Sequence, residues 1–120
     1  IYNWVKQGEM RSSGSSITEG IGQNRVTGNL DGAVIDDAFN IPDRELIPVL
    51  WDLIAREGLY VGASSAINVA GSIRLARALG PGKTIVTILC DSAARYASKL
   101  FDADFLTQKD LPLPPWQQAN

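Results

Sequence analysis

Three short stretches carry the side chains that could do chemistry: Glu19-Gly20-Ile21-Gly22-Gln23, Gly62-Ala63-Ser64-Ser65 and Cys90-Asp91-Ser92. Each follows a β-branched or apolar run and offers glycine, hydroxyl, carboxylate or thiol groups in close succession. The third is the sharpest case, because Thr84-Ile85-Val86-Thr87-Ile88-Leu89 reads as a buried strand that ends abruptly in small polar residues. In open α/β sheets, ligands bind in the crevice beyond the carboxyl ends of the strands. If the preceding strands are parallel neighbours, all three turns converge on one rim. A plainer reading stands beside this one: Ser and Asp make good caps, and such turns serve well as tight connections.

The residue types narrow the chemistry further. There is no histidine, which removes Ser-His-Asp and Cys-His catalysis and any imidazole metal site. Gly62-Ala63-Ser64-Ser65 approaches the G-x-S-x-G nucleophile elbow, but Ala66 takes the final glycine position and no base exists to activate the serine. The same turn lacks the lysine and the spacing of a phosphate-binding P-loop. Ser64 and Ser65, at a helix start, are open to two roles, anion binding or N-capping. Cys90 reads as a core thiol, with no His or Lys next to it in sequence to activate it. Asp91 reads as a cap for the helix that follows, and Arg95 and Lys99 as a solvated basic face. No catalytic residue and no metal ligand is assigned.

The elements that must position these turns follow from periodicity. Pro42 opens the clearest helix, with Asp43 and Glu45 favouring its positive end. Leu46, Val49, Leu50 and Leu53 recur at helical spacing, and Gly58 stops the run. Leu59-Tyr60-Val61 reads as a short strand, followed by a helix of small residues to about Leu79, with Arg74 and Arg77 marking its solvent side. The two glycines around Ile21 mark a backbone that needs positive φ or a close approach. The order strand, helix, strand, helix, strand, helix predicts an α/β fold: a parallel-stranded sheet flanked by helices. Strands are expected at about 34–39, 59–61 and 84–90, and helices at about 43–57, 64–79 and 93–101. Residues 1–14 read as a connecting segment, 15–110 as the α/β core, and 111–120 as a proline-rich surface strap.

Bulk properties exclude several function classes. A formal net charge of −2 gives no electrostatic footprint for nucleic acid or an anionic membrane. No apolar run approaches the roughly 18 residues that span a bilayer. One cysteine allows no internal disulfide and fits a reducing cytoplasm. The chain opens on Ile1-Tyr2-Asn3-Trp4 with no initiator methionine, and reads as a piece of something longer.

Taken in order, Ser15 to Gln23, Glu57 to Gly71 and Thr84 to Ser92 resemble the C-terminal third of cysteine synthases (O-acetylserine sulfhydrylases). These belong to the cysteine synthase/cystathionine β-synthase family of fold-type II pyridoxal-phosphate enzymes. The resemblance implies a parent enzyme that replaces the acetate of O-acetylserine with sulfide to give cysteine. A close alternative within the family condenses serine with homocysteine. It implies that Ser92 hydrogen-bonds the pyridine nitrogen of pyridoxal 5'-phosphate and that Gly20 lies along the cofactor. Glu19, Ile21 and Gly22 would line the substrate pocket. A serine at the ring nitrogen, unlike an aspartate, need not hold it protonated, which suits β-elimination and limits transamination.

The resemblance also marks what the chain lacks. The family's Schiff-base lysine and its phosphate-cradling loop lie upstream, and Lys6, Lys83, Lys99 and Lys109 match neither context. The chain would then supply one wall of an active site, with a non-catalytic remnant or interaction module as the alternative. Glycine is expected where Ala63, Ala66 and Ala93 stand; a β-carbon at a positive-φ position costs about 1 kcal/mol or more. Homo-oligomer formation is expected from the family's habit and from the apolar girth of helix 64–79.

Overall fold

The computed structural model describes residues 1–118 except Ser13 and Gln23. Gln23, the last residue of the first glycine turn, and the final two residues of the proline-rich tail lie outside the described residues. Internal contacts divide the chain into two compact units, Ile1–Asn40 and Ile41–Asn120. The boundary falls within the stretch read from sequence as one core.

The first unit is mostly irregular. Helix α1 (Tyr2–Gln7) stops at Gly8, whose φ of 73° is left-handed and whose N–H returns to the Trp4 carbonyl at 2.9 Å. Past it, Asn3 Nδ2 donates to the Arg11 carbonyl at 2.9 Å, and Thr27 anchors a turn by accepting the Leu30 N–H at 2.8 Å. Lys6 pairs with Asp37. Among the described residues of this unit only Thr18 is buried.

The second unit holds the apolar core. Helix α2 (Asp43–Ala55) begins after Pro42, which takes the cap position with extended backbone while Asp43 and Glu45 sit in the first turn. Leu46 and Leu50 are buried as the spacing requires, and so are Ile47 and Trp51. Each such side chain contributes about 2 kcal/mol when fully removed from water. Pro48, inside α2, has no N–H to give to the Arg44 carbonyl. Gly58, at φ 67°, turns the chain, and Leu59 N–H reaches back to the Leu53 carbonyl at 2.9 Å.

Helix α3 (Ala63–Leu79) packs on α2, and its Ala63, Ser65, Ala66 and Ala70 are buried. Small side chains let the two helices approach. Arg74, expected on the solvent side, instead grips Glu45 of α2 with both arms of its guanidinium, Nε to Oε1 being 2.8 Å. A bidentate fork of this kind fixes orientation as well as charge. Arg77 stays exposed.

A 3₁₀ turn (Ala93–Tyr96) leads into α4 (Ala97–Leu100), and α5 (Ala103–Gln108) follows. The proline-rich tail then lies against the helices. Pro114 is fully buried, and Trp51 Nε1 donates to the Pro112 carbonyl at 3.1 Å. The Trp116 ring stands edge-on to Trp51 at 5.7 Å, while Phe101 stacks on Tyr60 at 5.7 Å.

Among the described residues none forms a strand. Segments 34–39, 59–61 and 84–90, expected as parallel strands, carry no ladder. One isolated bridge joins Val61 of the second to Ser92, just beyond the third, and it is antiparallel. The physical reason is a missing neighbour: a strand is defined by the chain beside it, and in 84–90 the side chains of Val86, Ile88 and Leu89 are 85%, 67% and 42% exposed. A fourth expectation also changes. Ala63, Ala66 and Ala93 are all buried at ordinary φ, since Asp110 is the one non-glycine residue with positive φ among the described residues. Their methyl groups therefore cause no backbone strain.

Candidate functional site

The turns at 62–65 and 90–92 meet. Gly62 N–H donates to the Asp91 carbonyl at 2.8 Å, and Ala93 N–H donates to the Tyr60 carbonyl at 3.3 Å. These two bonds flank Ser92 on either side and hold it opposite Val61. Helix α3 adds two more ties. Ser65 Oγ, fully buried, accepts the Cys90 N–H at 2.8 Å, and Asn68 Nδ2 donates to the Ile88 carbonyl at 2.9 Å. Neither serine of this turn therefore caps α3. The cap residue of α3 is Gly62, with no side-chain bond, and Ser65 stitches the helix to the neighbouring turn.

The cap expected of Asp91 falls to Ser92. The helical turn after them is capped by Ser92, whose Oγ accepts the Ala94 N–H at 3.2 Å. The Asp91 carboxylate turns back. Its Oδ2 accepts from Tyr96 OH at 2.6 Å, its Oδ1 lies 3.5 Å from Ser64 Oγ, and Arg95 stands 3.9 Å away. Gly62 is what makes room: a β-carbon there would sit 2.7 Å from Asp91 Oδ1 and 3.1 Å from the Tyr96 ring. Its φ of −76° is ordinary, so space and not conformation demands the glycine.

Cys90, expected in the core, is exposed; its sulfur accepts from Asn68 Nδ2 at 3.6 Å. The thiol shares its exposure with most of residues 84–89, which have no strand partner among the described residues. The partners of Ser65 and Asn68 lie 20 to 25 residues away in sequence, and local spacing does not announce them.

Glu19, Gly20, Ile21 and Gly22 form one exposed turn of the first unit. Both glycines have positive φ, 79° and 73°, and a β-carbon at either would meet nothing within 4 Å. Just before the turn, the buried Thr18 Oγ1 has no hydrogen-bond partner among the described residues.

Whether pyridoxal phosphate fits can be asked of the chain's own donors. Ser92 is exposed, and the bond it accepts from Ala94 leaves its O–H to donate outward. Such a donor matches an unprotonated ring nitrogen, which offers one lone pair. The residues present fit that single contact. Among the described residues, no group of three His, Cys, Asp or Glu could hold a metal ion, and no helix is long and apolar enough to cross a membrane.

Comparison with known proteins agrees with the resemblance. The chain is 45% identical over 115 residues to cysteine synthase 1 of Emericella nidulans, covering 92% of this chain and 31% of that protein. It is 50% identical over 101 residues to cysteine synthase 1 of Neurospora crassa, covering 82% and 27%. Cystathionine beta-synthase of Mus musculus is 38% identical over 91 residues, covering 76% and 16%. The chain thus spans less than a third of the length of these relatives. The model of the pyridoxal-phosphate dependent enzyme family matches residues 2–91, ending one position before Ser92. With most of its length inside that match, the chain belongs to the pyridoxal-phosphate dependent enzyme family.

Proposed function

We propose that this chain supplies the ring-nitrogen contact and one pocket wall of a cysteine synthase that makes cysteine and acetate from O-acetylserine and sulfide. The observation that carries the reading is Ser92: an exposed hydroxyl held by backbone bonds on both sides, its oxygen already accepting and its hydrogen left to donate. Pyridoxal phosphate, when bound, supplies the electron sink for replacing a substituent on the β-carbon of an amino acid. The chain's own part is positional. Ser92 donates to the ring nitrogen without protonating it; Gly20 lies along the ring; Glu19, Ile21 and Gly22 line the substrate pocket. The partnerless Thr18 hydroxyl before that turn supports a polar ligand nearby. The surrounding fold is the fold-type II α/β architecture, its parallel sheet completed by chain outside these residues, in the reducing cytoplasm that a single cysteine suits.

The test uses the full-length polypeptide that carries these residues. Ser92→Ala is expected to keep pyridoxal phosphate bound and to lose turnover; unchanged turnover would reduce Ser92 to a cap. In the 120-residue chain, borohydride treatment with pyridoxal phosphate is expected to modify no lysine selectively. The exposed apolar run around Val86 and Ile88 further supports self-association. Sedimentation at low micromolar concentration should then give a dimer or larger species, and a cooperatively melting monomer would count against it.

A further inference from the structure

We infer that Tyr96 is a positioning residue for Ser92, acting through the carboxylate of Asp91; this rests on the role proposed for Ser92 above. Ser92 has no packing of its own to hold it, being exposed. Its placement comes from Asp91 on one side and Ala93 on the other. The Asp91 carbonyl takes the Gly62 N–H at 2.8 Å, and its side chain would be free to swing if it were not tied. Tyr96 ties it. The phenol donates to Asp91 Oδ2 at 2.6 Å, a short bond to a charged acceptor, which is among the stronger kinds of hydrogen bond in proteins.

The geometry closes a small ring of contacts. Tyr96 lies four residues past Ser92, on the turn that Ser92 caps, so the bond to Asp91 closes the chain back across the serine. The Tyr96 ring edge and Asp91 Oδ1 together fill the space above Gly62, where a β-carbon would meet them at 3.1 and 2.7 Å. Carboxylate, phenol and glycine therefore fit one another, and Ser92 follows the carboxylate directly in the chain. Ser92 and the Asp91 backbone belong to the two-bond bridge, whereas the Tyr96 bond is what keeps the Asp91 side chain from opening it. The carboxylate's partners are thus Tyr96, the weaker approach of Ser64 Oγ at 3.5 Å, and Arg95 at 3.9 Å.

The experiment compares Tyr96→Phe, Ser92→Ala and the double variant in the full-length polypeptide loaded with pyridoxal phosphate, reading the cofactor's absorption band and steady-state turnover. Tyr96→Phe keeps the ring and removes one hydrogen bond to a charged group, so turnover should fall roughly tenfold. The absorption band should move in the direction that Ser92→Ala moves it. The double variant should be no worse than Ser92→Ala alone, because Tyr96 acts only through that serine. Asp91→Asn, which keeps an acceptor for the phenol, should retain most of the turnover. Additive losses in the double variant, or an unmoved band in Tyr96→Phe, would overturn the positioning role while leaving Ser92 in place. If Ser92→Ala itself changed neither band nor turnover, the role of Ser92 would fall first, and that of Tyr96 with it.

Discussion

The Gly20–Gly22 turn of the first unit and the Gly62 turn of the second use glycine for opposite physical reasons. In the first, Gly20 and Gly22 are needed for their backbone angles, since both have positive φ and both have open space where a side chain would go. In the second, Gly62 has an angle any residue adopts and no space at all, with a carboxylate and a phenol already against it. The surroundings explain the difference. The second unit has a buried apolar core from Leu46 to Leu111, and the Gly62 turn is wedged beside it. The first has one short helix and buries only Thr18 among its described residues, so its turn geometry must come from the backbone itself. The same residue type thus marks conformational need in one place and crowding in the other.

The largest effect that would break this contrast is at Gly62. Gly62→Ala should cost about 1–3 kcal/mol, the usual range for overpacking, because Asp91 cannot retreat without losing its bond to Tyr96. Thermal or urea unfolding checks it, and Tyr96→Phe should soften the loss by freeing the carboxylate. A silent Gly62→Ala would mean the turn is not wedged. Next comes Gly20→Ala, expected to cost about 1–2 kcal/mol through its backbone angle alone. Its signature is faster amide exchange confined to the first unit, with the amides of α2 unmoved.

The smallest effect is the Lys6–Asp37 pair. The hydrogen bond from Lys6, with the Ala38 N–H, holds the Asp37 carboxyl below the ordinary carboxylate range. The same bond to Asp37 raises the Lys6 ammonium above its ordinary value. The lowered acid contributes fully at neutral pH and loses its contribution as pH falls through its folded-state value. The raised base also contributes fully at neutral pH, and loses its part as pH rises through its own. Both groups are exposed, so Lys6→Met should leave stability nearly flat at neutral pH and shift only the acid edge of an NMR titration of Asp37. A large loss of stability would show that the first unit depends on this pair more than its exposure implies.

Helices were the legible part of this sequence. Pro42 with its acidic first turn, and the small residues from Ala63 onward, locate α2 and α3 within one or two residues, because caps and periodicity are local signals. The helix expected over 93–101 begins at residue 93 but is a 3₁₀ turn followed by a short α-helix ending at Leu100. The sheet was not legible, because a run such as 84–90 announces its liking for a strand and says nothing of which chain lies beside it. The site was legible in part. The turns at Gly62 and Cys90 do meet, yet the cap expected of Asp91 falls to Ser92, and Arg74 faces α2 instead of water. These outcomes depend on which side chains meet, Tyr96 with Asp91 across one turn and Arg74 with Glu45 at long range, and periodicity alone does not announce either pair.

The uncovered segment has a consequence for how the chain behaves in concentrated solution. Thr84-Ile85-Val86-Thr87-Ile88-Leu89 is six residues of high β-propensity with no charge, no proline and no glycine, the composition of a steric zipper. Lys83 and Asp91 stand as charged gatekeepers at its two ends, but nothing interrupts it between them. With Val86 at 85% exposure, the segment is a template on which a second molecule can add in register. Its natural fate is a choice between a proper strand neighbour and cross-β growth. Thioflavin fluorescence on prolonged incubation should rise, and Val86→Lys, placed at the most exposed point, should abolish the rise without touching α2 or the Ser92 turn.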